Sequence, residues 1–239
     1  MPFQRLPNWI QFGAFMLAIN AGMINVLGLI TVLHQSVSHM TGNASLLSQA
    51  LVSGQSSQLI YLSLVILSYM IGASYSGFIL GNSHFQLGRR YGIPLILVTI
   101  FILLCWLFIP YFPRYALLWA CVAMGVQNAM VSHYQGVIIR TTHLSGVLTD
   151  RGLAFGYRLK GLKTDIRKII LHLLILIGFI LGGVIACIAH PYLQLHAFLI
   201  PAMLSLTLCI VYGIISYKFL HCQNYCIVVM VKISFLAQL

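Results

Sequence analysis

The chain has 239 residues, of which 60% are hydrophobic and 6% charged, and its mean hydropathy is +0.97. That leaves too little polar surface to cover a water-soluble domain. A formal charge of +11 would suggest nucleic acid as the partner of a soluble protein, but here the basic residues sit between long apolar runs, and no nucleic-acid role is expected.

Runs long enough to cross a hydrocarbon core of about 30 Å, roughly 20 helical residues each, recur along the chain. Six spans are predicted, at about 10–33, 58–80, 92–110, 115–139, 169–189 and 197–219. The first follows a weakly basic start and lacks an Ala-x-Ala cleavage site, so it reads as a retained helix and not as a signal peptide. Within it lies Gly22-Met23-Ile24-Asn25, an amide deep in an apolar run where an unpaired polar group is costly. Ser36-Val37-Ser38 then leads into His39-Met40-Thr41-Gly42-Asn43 and a short amphipathic stretch, ASLLSQAL. Thr41 or Asn43 is the expected N-cap, and Gly42 would permit the sharp turn. The second span carries small residues every fourth position, Ala73, Gly77 and Gly81, a spacing that lets helices approach closely in lipid. The third begins with Ile93-Pro94.

The fourth span contains Gly125-Val126-Gln127-Asn128, and His133 and Gln135 add polarity toward its end. Arg140-Thr141-Thr142-His143-Leu144-Ser145-Gly146 follows, then a basic stretch at 151–168. The fifth span has its own small-residue ridge, Gly178, Gly182 and Ala186, and the sixth opens near Ile200-Pro201. The last segment, 220–239, includes YCIVVMVKISFLAQL, which is too short to span and is interrupted by Lys232. It reads as a cytoplasmic or membrane-surface tail.

Taken in order, these features form a repeat. Gly22 to Asn25 recurs as Gly125 to Asn128, His39 as His143, the 73/77/81 ridge as 178/182/186, and Ile93-Pro94 as Ile200-Pro201, at offsets rising only from 103 to 107. Each unit, 10–110 and 115–219, holds three helices. An odd number reverses the second unit in the membrane, an arrangement that recurs in transporters. The charges agree with this topology. With six spans, Arg5, Arg89, Arg90, Arg140, Arg151, Arg158, Lys160, Lys163, Arg167, Lys168, Lys218 and Lys232 fall on one side, leaving only Arg114 of the 13 Lys and Arg residues on the other. Both termini are therefore expected in the cytoplasm, with anionic lipid headgroups as partners of the 151–168 loop.

Chemistry is constrained as well. The only acids are Asp150 and Asp165, so no carboxylate pair exists within the predicted spans to bind a coupling ion or to catalyse. Proton coupling would have to run through His39, His133, His143 or His172. There is no phosphate-cradling Gly loop, no HExxH, and no nucleophile with an evident base, so the chain is not expected to be an enzyme. Cys105, Cys121, Cys187 and Cys209 fall within predicted helices as small packing residues. His221, Cys222 and Cys226 offer fewer than the four ligands a structural zinc needs. Neither a metal nor a cofactor is expected.

AGMINVLGL, HMTGN, GVQNA and RTTHLSG, in this order, resemble the YoaK family of bacterial integral membrane proteins, a family of unknown function, over most of residues 15–220. The resemblance implies a six-helix protein of a bacterial inner membrane and supplies no substrate. The matching positions are His39, Thr41, Gly42, Asn43, Gln127, Asn128, Arg140, Thr141, Thr142 and Gly146, to which the family attaches no role. Relatives often carry an acid in place of Asn25, and an aromatic-x-Thr-Gly pattern in place of His-Leu-Ser-Gly.

The expected fold is all-α, a single membrane domain over 1–239 with six transmembrane helices in two inverted repeats. The expected function is a small transporter or channel for a small polar or anionic solute. Its pathway would run past Asn25, Gln127 and Asn128 near the midplane. His39, Thr41, Gly42 and Asn43 would form an outer mouth, and Thr142, His143, Ser145 and Gly146 an inner one, with Arg140 at the cytoplasmic end of the fourth span either a snorkelling anchor or a contact to the solute. Six helices make a thin wall, so a homodimer is expected. The alternative is a membrane scaffold in which the repeat serves packing alone.

Overall fold

The computed structural model describes residues 8–31, 36–81, 91–131, 141–164 and 166–236, without the side chains of Arg167 and of 218–236. Every regular element among the described residues is helical. The order is α1 (Asn8–Thr31), α2 (Met40–Val52), α3 (Ser56–Leu80), α4 (Gly92–Phe108), α5 (Pro113–Met130), α6 (Leu144–Leu159), α7 (Ile166–Leu193), a 3₁₀ turn at Gln194–Phe198, and α8 (Leu199–Leu236).

Among the described residues three stretches are long and apolar enough to cross a membrane: Asn8–Thr31, Ser56–Leu80 and the 50-residue run Lys168–Tyr217. The chain is thus an all-α membrane protein. A single helix of that last length would reach about 75 Å, far beyond any hydrocarbon core. The 3₁₀ turn breaks it, with Gln194 in the left-handed region at φ 49°. The apolar helix α4 is shorter, at 17 residues. Two predicted boundaries need correction. Helix α5 starts on Pro113, whose fixed φ suits a first helical position, and ends at Met130 with Val131 as its C-cap; the remainder of the predicted span, 132–139, lies outside the described residues. The tail predicted as a separate segment instead continues α8 to Leu236, because no Gly or Pro interrupts the chain after Gly213.

Small residues decide which helices lie at the centre. Ala14, Ala18, Ala21 and Gly22 of α1, and Ala116, Ala120, Ala123 and Gly125 of α5, are buried. These two helices accordingly sit inside, α1 along α7 and α5 along α3, while α4 bridges α5 and α8. Helix α2 lies on α3 and α6 on α7. A Cβ on Gly22 would collide with the carbonyl oxygen of Phe179, and one on Gly125 with that of Tyr69. Gly72 backs in the same way onto Val122, and Gly182 onto Ile19.

These contacts correct the two ridges. Gly178, Gly182 and the buried Ala186 do pack, Gly178 and Gly182 against α1. Gly77 is exposed with open space around it, and Gly81 ends α3 at φ 64°. On α3 the close approach is made instead by Gly72 and by the backbone at Tyr69 and Ala73. Tyr69, Gly72 and Ala73 correspond in their contacts to Phe179, Gly182 and Gly183, a spacing of 110 where the ridges suggested 105. Outward, Leu67, Met70 and Phe78 of α3 and Leu173, Ile180 and Ile188 of α7 are exposed, the apolar exterior expected of a lipid-facing wall.

Candidate functional site

Two buried amides hold the chain that follows their own helices. On α1, Asn25 Oδ1 accepts hydrogen bonds from Ser36 Oγ at 2.5 Å, Ser38 Oγ at 2.9 Å and the Ser38 backbone N–H at 3.2 Å. At the end of α5, Asn128 Nδ2 donates to Thr142 Oγ1 at 2.8 Å, while its Oδ1 accepts from Thr141 Oγ1 at 3.0 Å. The two amides use the same device, an Asn clamping hydroxyls 11 to 14 residues downstream. Each such bond contributes about 0.5–1.5 kcal/mol net, and more is lost when a buried partner is orphaned.

The clamps set where the next helices begin. Residues 36–39 and 141–143 are drawn back against α1 and α5, so α2 and α6 start beside these helices. The N-cap of α2 is His39 and that of α6 is His143, neither with a side-chain capping bond. This differs from the expected cap at Thr41 or Asn43. Asn43 is buried and its Nδ2 reaches back to the Ser36 carbonyl at 3.0 Å. The Gly in each motif has a steric role. A Cβ on Gly42 would come within 2.6 Å of His39 Cδ2, and one on Gly146 would collide with the His143 ring. Each imidazole therefore lies across the first turn of the helix it precedes, and only Gly leaves room for it.

Both clamped segments face one space. A cavity of about 560 Å³ is lined from α1 by Asn25, from the α2 start by Ser38, His39, Met40 and Thr41, and from α3 by Tyr69 and Ala73. The second half supplies Asn128, Ala129, Thr142, His143, Leu144, Ser145 and Phe179. His39 and Thr41, expected at an outer mouth, and Thr142, His143 and Ser145, expected at an inner one, line this same cavity, whereas Gly42, Asn43 and Gly146 are not among its lining residues. No carboxylate, Lys or Arg is among its described lining residues.

A model of the family described as protein of unknown function, DUF1275, matches residues 13–211. The chain belongs to the DUF1275 family. No curated protein and no solved structure matches it. The family match runs from α1 into α8 of this DUF1275 chain and takes in every residue that lines the cavity.

Behind the cavity wall lies a fully buried polar network. Gln127 Nε2 donates to the Leu17 carbonyl at 2.9 Å and to Thr141 Oγ1 at 3.4 Å, which fixes its amide orientation. Its Oε1 accepts from Asn20 Nδ2 at 2.7 Å, and the same Nδ2 donates to Ser205 Oγ at 3.0 Å. Asn20 Oδ1 is left buried without a partner. Gln127 therefore ties α5 to α1 and does not face the cavity. Arg140, His133 and Gln135 lie outside the described residues.

Sequence reasoning overlooked Asn20, Ser205, Tyr69 and Phe179, none of which belongs to a repeated motif. Ser36 and Ser38 had a legible signal: Ser38 and Thr142 are hydroxyls at matching places one residue before each His. Of the basic 151–168 stretch, Arg151 turns inward, its Nη2 lying 3.1 Å from His172 Nδ1 with Asp150 nearby. Arg158, Lys160 and Lys163 are exposed.

Proposed function

We propose that this DUF1275 protein is a small transporter or channel of a bacterial inner membrane, of the YoaK kind, that moves a small polar or anionic solute through the cavity. The observation that carries this is the cavity itself: both copies of the repeated motif line it, each presented by an Asn clamp. Two equivalent halves around one polar site are what alternating access requires. In this reading the chain is two inverted three-helix units crossing the membrane six times, with the termini in the cytoplasm; the matched contacts of Gly22 and Gly125 support the repeat, and the uneven distribution of Lys and Arg supports the orientation. The exposed Arg158, Lys160 and Lys163 suit anionic headgroups on that side, and a homodimer would thicken the wall.

A scaffold is the second reading, favoured by the amide clamps, which would hold the fold together whether or not anything passes. Thiol accessibility separates the two. Single cysteines at 25, 41, 128 and 145, in a chain freed of native cysteines, are probed in intact cells and inverted vesicles with a membrane-impermeant reagent. Labelling of 25 and 128 is the expected result and means that water reaches the clamps. Protection of both from either side would leave the scaffold reading.

A further inference from the structure

Several donors face the cavity. Helices α2 and α6, of 13 and 16 residues, both begin at its wall, and the first turn of each carries backbone N–H groups with no intrahelical acceptor. The first closed bonds are Asn43 N–H to the His39 carbonyl and Val147 N–H to the His143 carbonyl, both 3.2 Å. Each helix start acts as roughly half a positive charge.

A second observation concerns Asn25, which is only 8% exposed yet lines the cavity. The Ser38 backbone N–H and two serine hydroxyls all converge on its Oδ1. A backbone N–H can only donate, so the amide cannot be turned over. Its Nδ2 is therefore an oriented donor with no acceptor among the described residues. Thr142 adds another donor: its Oγ1 already accepts from Asn128, which leaves its proton free to donate.

We infer that the cavity is a binding site for a small monovalent anion, held between the starts of α2 and α6 with Asn25 Nδ2 as a side-chain donor. This rests on the pathway reading and names its substrate class. Two half-charges at the wall of one cavity match about one negative charge. No described Lys or Arg lines the cavity to compensate a second charge, and no carboxylate is present to attract a cation. A neutral solute could accept from these donors but would gain nothing from the charge of the two helix starts.

The test uses the full-length protein in lipid nanodiscs. Thermal unfolding is followed against sodium nitrate, formate, chloride and sulfate, with sodium gluconate holding ionic strength constant, and against urea and glycerol as neutral solutes. The expected result is a saturable stabilisation by at least one monovalent anion, with sulfate at least tenfold weaker. Asn25→Asp keeps the oxygen that clamps Ser36 and Ser38 but replaces the donor with a charged acceptor. It should weaken that binding by tenfold or more while retaining the helical circular dichroism. If the variant fails to fold, the wild-type series alone decides.

Equal, non-saturating shifts from all salts would mean only general salt effects and would overturn the inference. Saturable binding of urea or glycerol with none of any anion would overturn it too, while sparing a pathway for neutral solutes. If no solute binds and positions 25 and 128 are also closed to thiol reagents, both the inference and the transport reading fail.

Discussion

Two glycines carry more of the fold than their size suggests. Gly22 and Gly125 sit directly against the backbone carbonyls of Phe179 and Tyr69, so a single added methyl must push two helices apart. Gly22→Ala and Gly125→Ala are each expected to cost about 1–3 kcal/mol as overpacking. Gly77→Ala, on an exposed helix face with nothing near it, should gain about 0.5–1 kcal/mol from helix propensity. Thermal unfolding in detergent ranks the three, and a Gly22→Ala protein as stable as wild type would contradict the contact. The clamps yield a second ordering. Ser38→Ala removes one of three donors to Asn25 Oδ1 and should cost about 0.5–1.5 kcal/mol, whereas Asn25→Leu strands the buried Ser38 N–H and both hydroxyls and should cost about 1–3 kcal/mol or more.

At the scale of elements, one position looks improvable. Gln194 adopts φ 49° in the 3₁₀ turn that separates α7 from α8. A left-handed conformation costs a residue with a Cβ about 1–2 kcal/mol, so Gln194→Gly should raise stability by up to about 1 kcal/mol after its own entropy cost. A lowered melting temperature would mean that the Gln side chain matters more than its backbone strain. This turn also illustrates what could be read from the chain. Hydropathy located the apolar runs and the break between α7 and α8, and the repeated motifs contain part of the cavity lining but not Tyr69 or Phe179, and include Gly42, Asn43, Gln127 and Gly146, which are not in it. Helix partners were another matter. A ridge at 73/77/81 satisfies small-residue spacing, but spacing says nothing about which face meets which neighbour: of the three only Ala73 takes part in the close approach, with Tyr69 and Gly72, while Gly77 stands in open space. The N-caps were misassigned for a related reason: Thr and Asn are the residue types that usually cap, yet here Asn43 reaches back to the Ser36 carbonyl and the His rings occupy the first turn.

Across the whole molecule, the pairing of helices bears on how any solute would move. Helix α1 packs along α7 and α5 along α3, while α1 and α3 do not touch, so each half of the sequence lends a helix to two mixed units. One unit presents Asn25 and Phe179 to the cavity, and the other presents Tyr69, Ala73 and Asn128. Between α1 and α5 the polar link is the Asn20–Gln127–Leu17 set of hydrogen bonds. A gating motion that widens one side of the cavity should therefore move these mixed units against each other and not the first sequence half against the second. Disulfide trapping in a chain freed of native cysteines tests this. Ala18→Cys with Gly178→Cys joins α1 to α7 within one unit; the Ala18 Cβ lies 3.1 Å from where a Cβ on residue 178 would stand, within a small backbone adjustment of disulfide geometry. That bond should form under mild oxidation and leave nitrate uptake into proteoliposomes within about twofold of the reduced protein. His39→Cys with His143→Cys, opened to a bifunctional thiol reagent, bridges the starts of α2 and α6 across the cavity and should abolish uptake until the bridge is reduced. If the α1–α7 bond alone stops uptake, those helices slide past each other during transport and the moving boundary runs through that unit.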